Sequence, residues 1–279
     1  MSHLDENVEV WSGKSRTDEN FPVGSRLIAR KNREPIHRFY TFARNADDIA
    51  DSSELSPDEK LARLAVMEDV LLGRRTAGSP SASALRISLA QTGITPKHAT
   101  DLLLAFRQDA VKSRYATFDE LYNYCHYSAV PVGRYMLDLH GEHHECHSPS
   151  DALCMSLQIL NHIQDCAKDL KELGRCYLPQ ALLEHFGAKV DDLLLPAETP
   201  ALRRVFSTLL DRIDRMNLAA SELPEVVRDR RFRLETGVIY GLATRLTVRL
   251  AHNDPIAHRV TLSKSDAIFS GLRSVFYLV

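Results

Sequence analysis

The sequence predicts an all-α protein, a single-domain helical bundle, and three observations predict it. Helix-start signals recur throughout the 279 residues. No run shows strand alternation closed by a hairpin turn. No Gly/Ser tract or fixed-period repeat divides the chain, and Gly and Pro number only 12 each.

The elements follow in order. The opening residues are polar, so 1–18 reads as a mobile N-terminal segment ahead of a catalytic domain over 19–279. Helices are expected near 35–52, 57–72, 81–91, 96–114, 118–139, 149–172, 179–186, 200–221, 224–252 and 264–276. The second opens on Ser56-Pro57-Asp58-Glu59, a capping box with proline at the first helical position, and continues through Leu61, Leu64, Met67 and Leu71. Thr117-Phe118-Asp119-Glu120 repeats the arrangement, and Ser148-Pro149-Ser150-Asp151 opens a further helix. Pro179, Pro200 and Pro224 mark starts, while Gly174 and Gly187 mark stops. Pro131 is expected to distort the 118–139 helix, because it lacks a backbone donor and crowds the preceding turn.

Composition narrows the function. Apolar residues make up 44%, and 37 acids against 35 bases leave a net charge of -2, which excludes a disordered chain and argues against nucleic acid as a partner. No stretch reaches the roughly 18 apolar residues of a membrane span. The acidic Met1-Ser2-His3-Leu4-Asp5-Glu6 start does not read as a secretion signal, and the five cysteines form no CxxC pair, as expected of reduced thiols in the cytoplasm. The arginine-rich stretch 200–233 (Arg203, Arg204, Arg212, Arg215, Arg228, Arg230, Arg231, Arg233) reads first as a solvated face. Its second reading is a peripheral contact with anionic lipid at the inner face of the membrane.

Two acidic stripes carry the chemistry. In Phe39-Tyr40-Thr41-Phe42-Ala43-Arg44-Asn45-Ala46-Asp47-Asp48-Ile49-Ala50-Asp51, the residues Tyr40, Arg44, Asp47 and Asp51 are spaced four, three and four apart and share a helix face. Asp51 falls at the helix C-terminus, where the macrodipole disfavours an anion, so these carboxylates need a cation. In Leu157-Gln158-Ile159-Leu160-Asn161-His162-Ile163-Gln164-Asp165-Cys166-Ala167-Lys168-Asp169, the residues Gln158, Asn161, Asp165 and Asp169 align over about 16 Å of helix. An isolated Asp stripe is better read as a solvated face. Two stripes of short carboxylates among small and apolar neighbours favour a hard divalent cation. Facing acidic helices over an apolar cavity would suit Mg²⁺-assisted loss of an allylic diphosphate, with the carbocation kept from bulk water.

These segments resemble the squalene/phytoene synthases. FYTFARNADDIAD (39–51) is similar to the first aspartate motif of that family. LQILNHIQDCAKD (157–169), followed by GRCYLP (174–179), is similar to the second, and LYNYCHYSAVPVG (121–133) to the segment with its catalytic tyrosine. The likeness spans nearly the whole chain after residue 18. It implies a helical bundle of the isoprenoid synthase type around a central cavity. It also implies Mg²⁺ binding by Asp47, Asp51, Asn161, Asp165 and Asp169, with Asp48 at the same site. Tyr40, Arg44, Gln158, Arg175 and Arg259 would meet the diphosphate. Tyr124 would join Asp47, Asp51, Asp165 and Asp169 as a catalytic residue, and Tyr240 is a weaker candidate.

ENFPVGSRLI (19–28), NYCHYSAVPVGRYMLDLHGE (123–142) and DPIAHRVTLSK (254–264) resemble the bacterial branch serving hopanoid synthesis. That implies conversion of presqualene diphosphate to hydroxysqualene with water capture and without NADPH. Synthesis of presqualene diphosphate or squalene from farnesyl diphosphate, and phytoene synthesis, are the nearest alternatives. A prenyl-lipid-binding subunit is the non-enzymatic one.

The residues also admit plainer roles. Arg44 can be an ion-pair partner of Asp47 or Asp48, and Tyr124 with Tyr127 can be a core stripe. The His140–His147 run has zinc-ligand chemistry but spacing that matches no closed zinc site, and it reads as a loop. Cys125, Cys154, Cys166, His126 and His162 read as helix residues without a catalytic partner.

Overall fold

The structure, a computed structural model, describes residues 7–9 and 27–274. Most of 1–18, most of the 19–28 motif and the end of the 264–276 helix lie outside the described residues. The chain forms helices α1 (Arg30–Asp51), α2 (Pro57–Leu71), α3 (Pro80–Thr92), α4 (Lys97–Val111), α5 (Phe118–Ser128), α6 (Val130–His140), α7 (His147–Leu173), α8 (Gln180–Phe186), α9 (Pro200–Ala220), α10 (Leu223–Val226), α11 (Arg230–His252) and α12 (Lys264–Ser274). Among the described residues there is no strand; Arg114 and Cys176 form one isolated β-bridge. No helix among them is long and apolar enough to cross a membrane.

The residues group into two compact units, Met1–Val111 with Arg134–Gly141, and Lys112–Gly133 with Glu142–Val279. In the first, Phe39, Phe42, Ala46 and Ile49 of α1 are buried with Leu64, Met67 and Val70 of α2, Leu85 of α3, and Leu102 and Leu103 of α4. Tyr135 stacks on Phe39 at 4.0 Å, and its hydroxyl donates to the Pro35 carbonyl at 3.0 Å. Helix α1 begins five residues before its expected start, with Pro35 inside it. The capping box at Ser56 and Glu59 forms as read, with Pro57 at the first helical position. A short N-terminal piece is tied down here: Val8 is buried, and Glu9 accepts from the Ser79 hydroxyl and from the Ser81 amide at the start of α3.

In the second unit α7 packs on α9, and α11 lies against both. Leu153, Ile159, Leu160 and Ile163 of α7 and Leu202, Val205, Phe206, Leu209 and Ile213 of α9 are buried. A polar chain crosses this core. The Ser156 hydroxyl donates to Asn217 Oδ1 at 2.6 Å, and Asn217 Nδ2 donates to the Thr247 hydroxyl at 3.0 Å.

Two expected helices are each divided. The 118–139 helix breaks at Ala129, and Pro131 falls in the first turn of α6, where its missing donor costs nothing. Gly133 follows; a Cβ there would lie 2.6 Å from both Cys154 Sγ and Ser150 Oγ of α7, so this crossing needs glycine. The 224–252 helix breaks at Val227. Glu142 accepts from the amides of Arg228 and Asp229, both at 2.8 Å, and Asp229 caps α11 by accepting from the Arg231 and Phe232 amides. Carboxylates thus satisfy amides that an unbroken helix would have used itself.

Helix α12 packs on α11 with an unusual inside face. Asp266, Ser270 and Ser274 are buried, while Ile268, Phe269 and Leu272 point outward. A Cβ on Gly241 of α11 would come within 2.9 Å of Ser270, so the helices meet closely at that point.

Candidate active site

The first acidic stripe lies on α1. Its apolar side is buried in the first unit, which leaves Tyr40, Arg44, Asp47 and Asp51 along the less buried face. Arg44 binds two acids at once. Its Nη1 is 3.0 Å from Asp47 Oδ2, and its Nε and Nη2 donate to Asp48 Oδ1 at 3.0 and 2.6 Å. Asp48 is the inner carboxylate, whereas the Asp47 side chain keeps 33% of its surface. Partial removal from water pushes the Asp47 carboxyl above the ordinary carboxylate range. The Asp51 carboxylate adds to that, Arg44 opposes it, and Asp109 of α4 and Asp48 add smaller contributions. Asp51 closes a helix whose last turn holds no basic residue. The oxygen donors here are of the kind a hard divalent cation takes, and their mutual repulsion is what such a cation would relieve.

The second stripe, Gln158, Asn161, Asp165 and Asp169, lies on the partly exposed side of α7. Gln158 Nε2 comes within 3.4 Å of His162 Nε2. Arg259 grips both oxygens of Asp165 in a fork, from Nε at 2.5 Å and Nη2 at 3.0 Å. That hydrogen bonding raises the guanidinium above its ordinary value, so the cation is permanent. The neighbouring Gln164 is buried, and its amide donates to the Val260 carbonyl at 2.5 Å, pinning the Arg259 loop to α7. Asp254 shapes the loop's start by accepting from the Ile256 and Ala257 amides.

Gly174 ends α7 in the left-handed conformation, φ +65°, where glycine pays no steric cost. The following GRCYLP segment runs beside 113–116: the Cys176 amide donates to Ser113 at 3.0 Å and the Gln180 amide to Tyr115 at 2.8 Å. Arg175 and Tyr177 are thereby buried. Tyr177 stacks on His162, with ring centres 3.8 Å apart, and Tyr124 lies 5.3 Å from both Tyr115 and Tyr177 and 5.8 Å from His162. Burial drives the His162 imidazole down to about 3, against a weaker opposing pull from Asp165, so the ring is neutral. These four rings form a buried aromatic cluster beside the α7 stripe.

Each unit therefore assembles its own part of the expected set. Tyr40, Arg44, Asp47, Asp48 and Asp51 share α1. Gln158, Asn161, Asp165 and Asp169 share α7, with Arg259 on Asp165. Tyr240 lies half-buried on α11. Among the described residues no three His, Cys, Asp or Glu side chains gather closely enough to hold a metal ion. In the 140–147 run, Glu142 is taken up by the start of α11 and Cys146 is buried. Sequence reading missed Asp109, an acid on a different helix from Asp47, and Tyr115, which stands in a loop where no periodicity marks it. It also missed Gln164, whose role depends on a partner 96 residues away.

Fold and acidic helix faces define the class first: an all-α bundle of the isoprenoid synthase type. A squalene synthase structure from Alicyclobacillus acidocaldarius shares it, with a TM-score of 0.72 and 32% identity over 84% of this chain and 88% of that one. The Squalene/phytoene synthase family model matches residues 14–266. The chain belongs to the squalene/phytoene synthase family, a family of enzymes. The hydroxysqualene synthase of Rhodopseudomonas palustris is 45% identical to it, covering 94% of this chain and 89% of that one. The hydroxysqualene synthase of Sinorhizobium fredii is 40% identical, covering 91% and 87%.

Proposed function

We propose that this chain converts presqualene diphosphate and water to hydroxysqualene and diphosphate. The carbon–oxygen bond to diphosphate breaks, and the leaving group keeps the electron pair. The cyclopropane rearranges, and water adds to the cation and gives up a proton. One observation carries the reading: 45% identity to a hydroxysqualene synthase across 94% of the chain.

Asp47 and Asp51 on α1, and Asn161, Asp165 and Asp169 on α7, are oxygen donors of the kind Mg²⁺ takes; such an ion would supply positive charge to the departing diphosphate. Asp48 supports this through Arg44, which it orients. Arg175 and Arg259 add fixed positive charge for the diphosphate, with Tyr40 and Gln158 as hydrogen-bond partners. Tyr124, packed among Tyr115, Tyr177 and His162, is the residue assigned to assist ionisation. The chain acts in the cytoplasm, with a peripheral contact to the inner face of the membrane that gives it access to a lipophilic substrate.

The test is product analysis from presqualene diphosphate and Mg²⁺, with and without NADPH. Hydroxysqualene and diphosphate should form in equal amounts in both. Inertness toward presqualene diphosphate, together with turnover of farnesyl diphosphate, would reject the reading. The squalene synthase likeness favours a second product, squalene, and that outcome requires NADPH to change the product.

A further inference from the structure

We infer that the outward face of α12 is the surface that docks on an anionic lipid bilayer. This rests on the peripheral contact proposed above and assigns it to particular residues. The usual arrangement of a surface helix is reversed here. Asp266, Ser270 and Ser274 face inward at 1–2% exposure, while Ile268, Phe269 and Leu272 are 64%, 54% and 66% exposed.

The reversal is held in place. Asp266 accepts from the Ser263 amide at 2.8 Å and pairs with Arg249 at 2.7 Å and Arg245 at 3.2 Å. The close approach of Ser270 to Gly241 leaves no room for a larger side chain to roll inward. Exposed apolar side chains are therefore the settled state of this helix.

Charge selects the occupant. Arg245 lies 5.2 Å from the Phe269 ring, and Arg245 and Arg249 remain 48% and 38% exposed. The two guanidiniums share the single Asp266 carboxylate, which leaves net positive charge beside the apolar side chains. An apolar strip beside net positive charge suits acyl chains beneath anionic headgroups.

Three arginines of 200–233 are engaged within the fold. Arg203 pairs with Glu198 and donates to the Leu250 and Asn253 carbonyls, Arg212 lies over the Phe118 ring, and Arg233 donates to the Val227 carbonyl.

The test uses the full chain with vesicles of phosphatidylcholine alone or mixed equally with phosphatidylglycerol. The wild type should sediment with the mixed vesicles and be released by salt. Ile268→Ser/Phe269→Ser/Leu272→Ser should lower the partition constant by about tenfold or more. In a Trp11→Phe background, Phe269→Trp keeps the surface apolar, and its fluorescence should shift to the blue on mixed vesicles only. Sedimentation of the wild type without that shift would overturn the α12 assignment and leave the peripheral contact standing. No sedimentation with either vesicle would overturn both. A lipid-free dimer abolished by the triple substitution would give the face to a second copy and overturn the proposal.

Discussion

Arg259 holds both carboxylate oxygens of Asp165 from a position 94 residues later in the chain. The acid at the centre of the α7 stripe is thus already matched with a cation of the chain itself. Lysine cannot reproduce a two-pronged grip. Arg259→Lys should lower kcat/KM by about 10- to 100-fold with helical content unchanged. Steady-state kinetics beside circular dichroism check this; wild-type kinetics in the variant would remove Arg259 from the machinery.

Gln164 positions that arginine. Gln164→Leu leaves the Val260 carbonyl buried without its donor, at a cost of about 1–3 kcal/mol. Amide exchange at 256–260 should accelerate, and kcat should fall, while α7 itself stays protected. Unchanged exchange in the loop would show that the hydrogen bond does not hold it.

His162 should make the fold sensitive to acid. Its folded value is about 3, against about 6.5 for an unfolded histidine. Below about pH 6.5 only the unfolded chain takes up this proton, so stability falls as pH drops toward 3. His162→Phe keeps a ring against Tyr177 and should flatten the decline by up to about 1.4 kcal/mol per pH unit. Urea unfolding across that range measures the slope, and equal slopes would count against a buried neutral imidazole.

Asp266 works in the opposite direction. Burial alone would raise its carboxyl; the Ser263 amide and hydroxyl, with Arg249 and Arg245, outweigh burial and hold it at about 2. Its stabilising share is complete above the unfolded value near 3.9 and is lost as pH falls through about 2. Asp266→Asn should cost on the order of 2 kcal/mol at neutral pH, with cleavage by protease appearing first around α12. Equal midpoints at neutral pH would contradict this.

Gly133→Ala should destabilise by about 1–3 kcal/mol, because the new methyl meets Cys154 and Ser150. Cys154→Ala should recover part of the loss, and a double-mutant cycle reads that coupling. Strict additivity would mean that the clash is relieved elsewhere.

Most of the helices were legible because their signals are local. Ser56 with Glu59, and Gly174, act within one turn and behave as their residue types require. The breaks at Ala129 and Val227 were harder to read. Pro131 serves as a first-turn residue, and the second break depends on Glu142, far off in sequence. The acidic stripes were legible from spacing. Arg259 was legible only through family likeness, and Asp109 and Tyr115 not at all, since nothing in their own neighbourhoods marks them. The reversed face of α12 could not be read either, because its inward polar residues depend on two arginines and a glycine of α11.

The Ser156–Asn217–Thr247 chain bears on how α7 is aimed. Leucine and isoleucine surfaces slide over one another, so a purely greasy interface would let a long helix settle at several roll angles. Hydrogen bonds at 2.6 and 3.0 Å have no such tolerance. They act as a detent, and the compass bearing of Asn161, Asp165 and Asp169 is set by three small polar groups deep in the core.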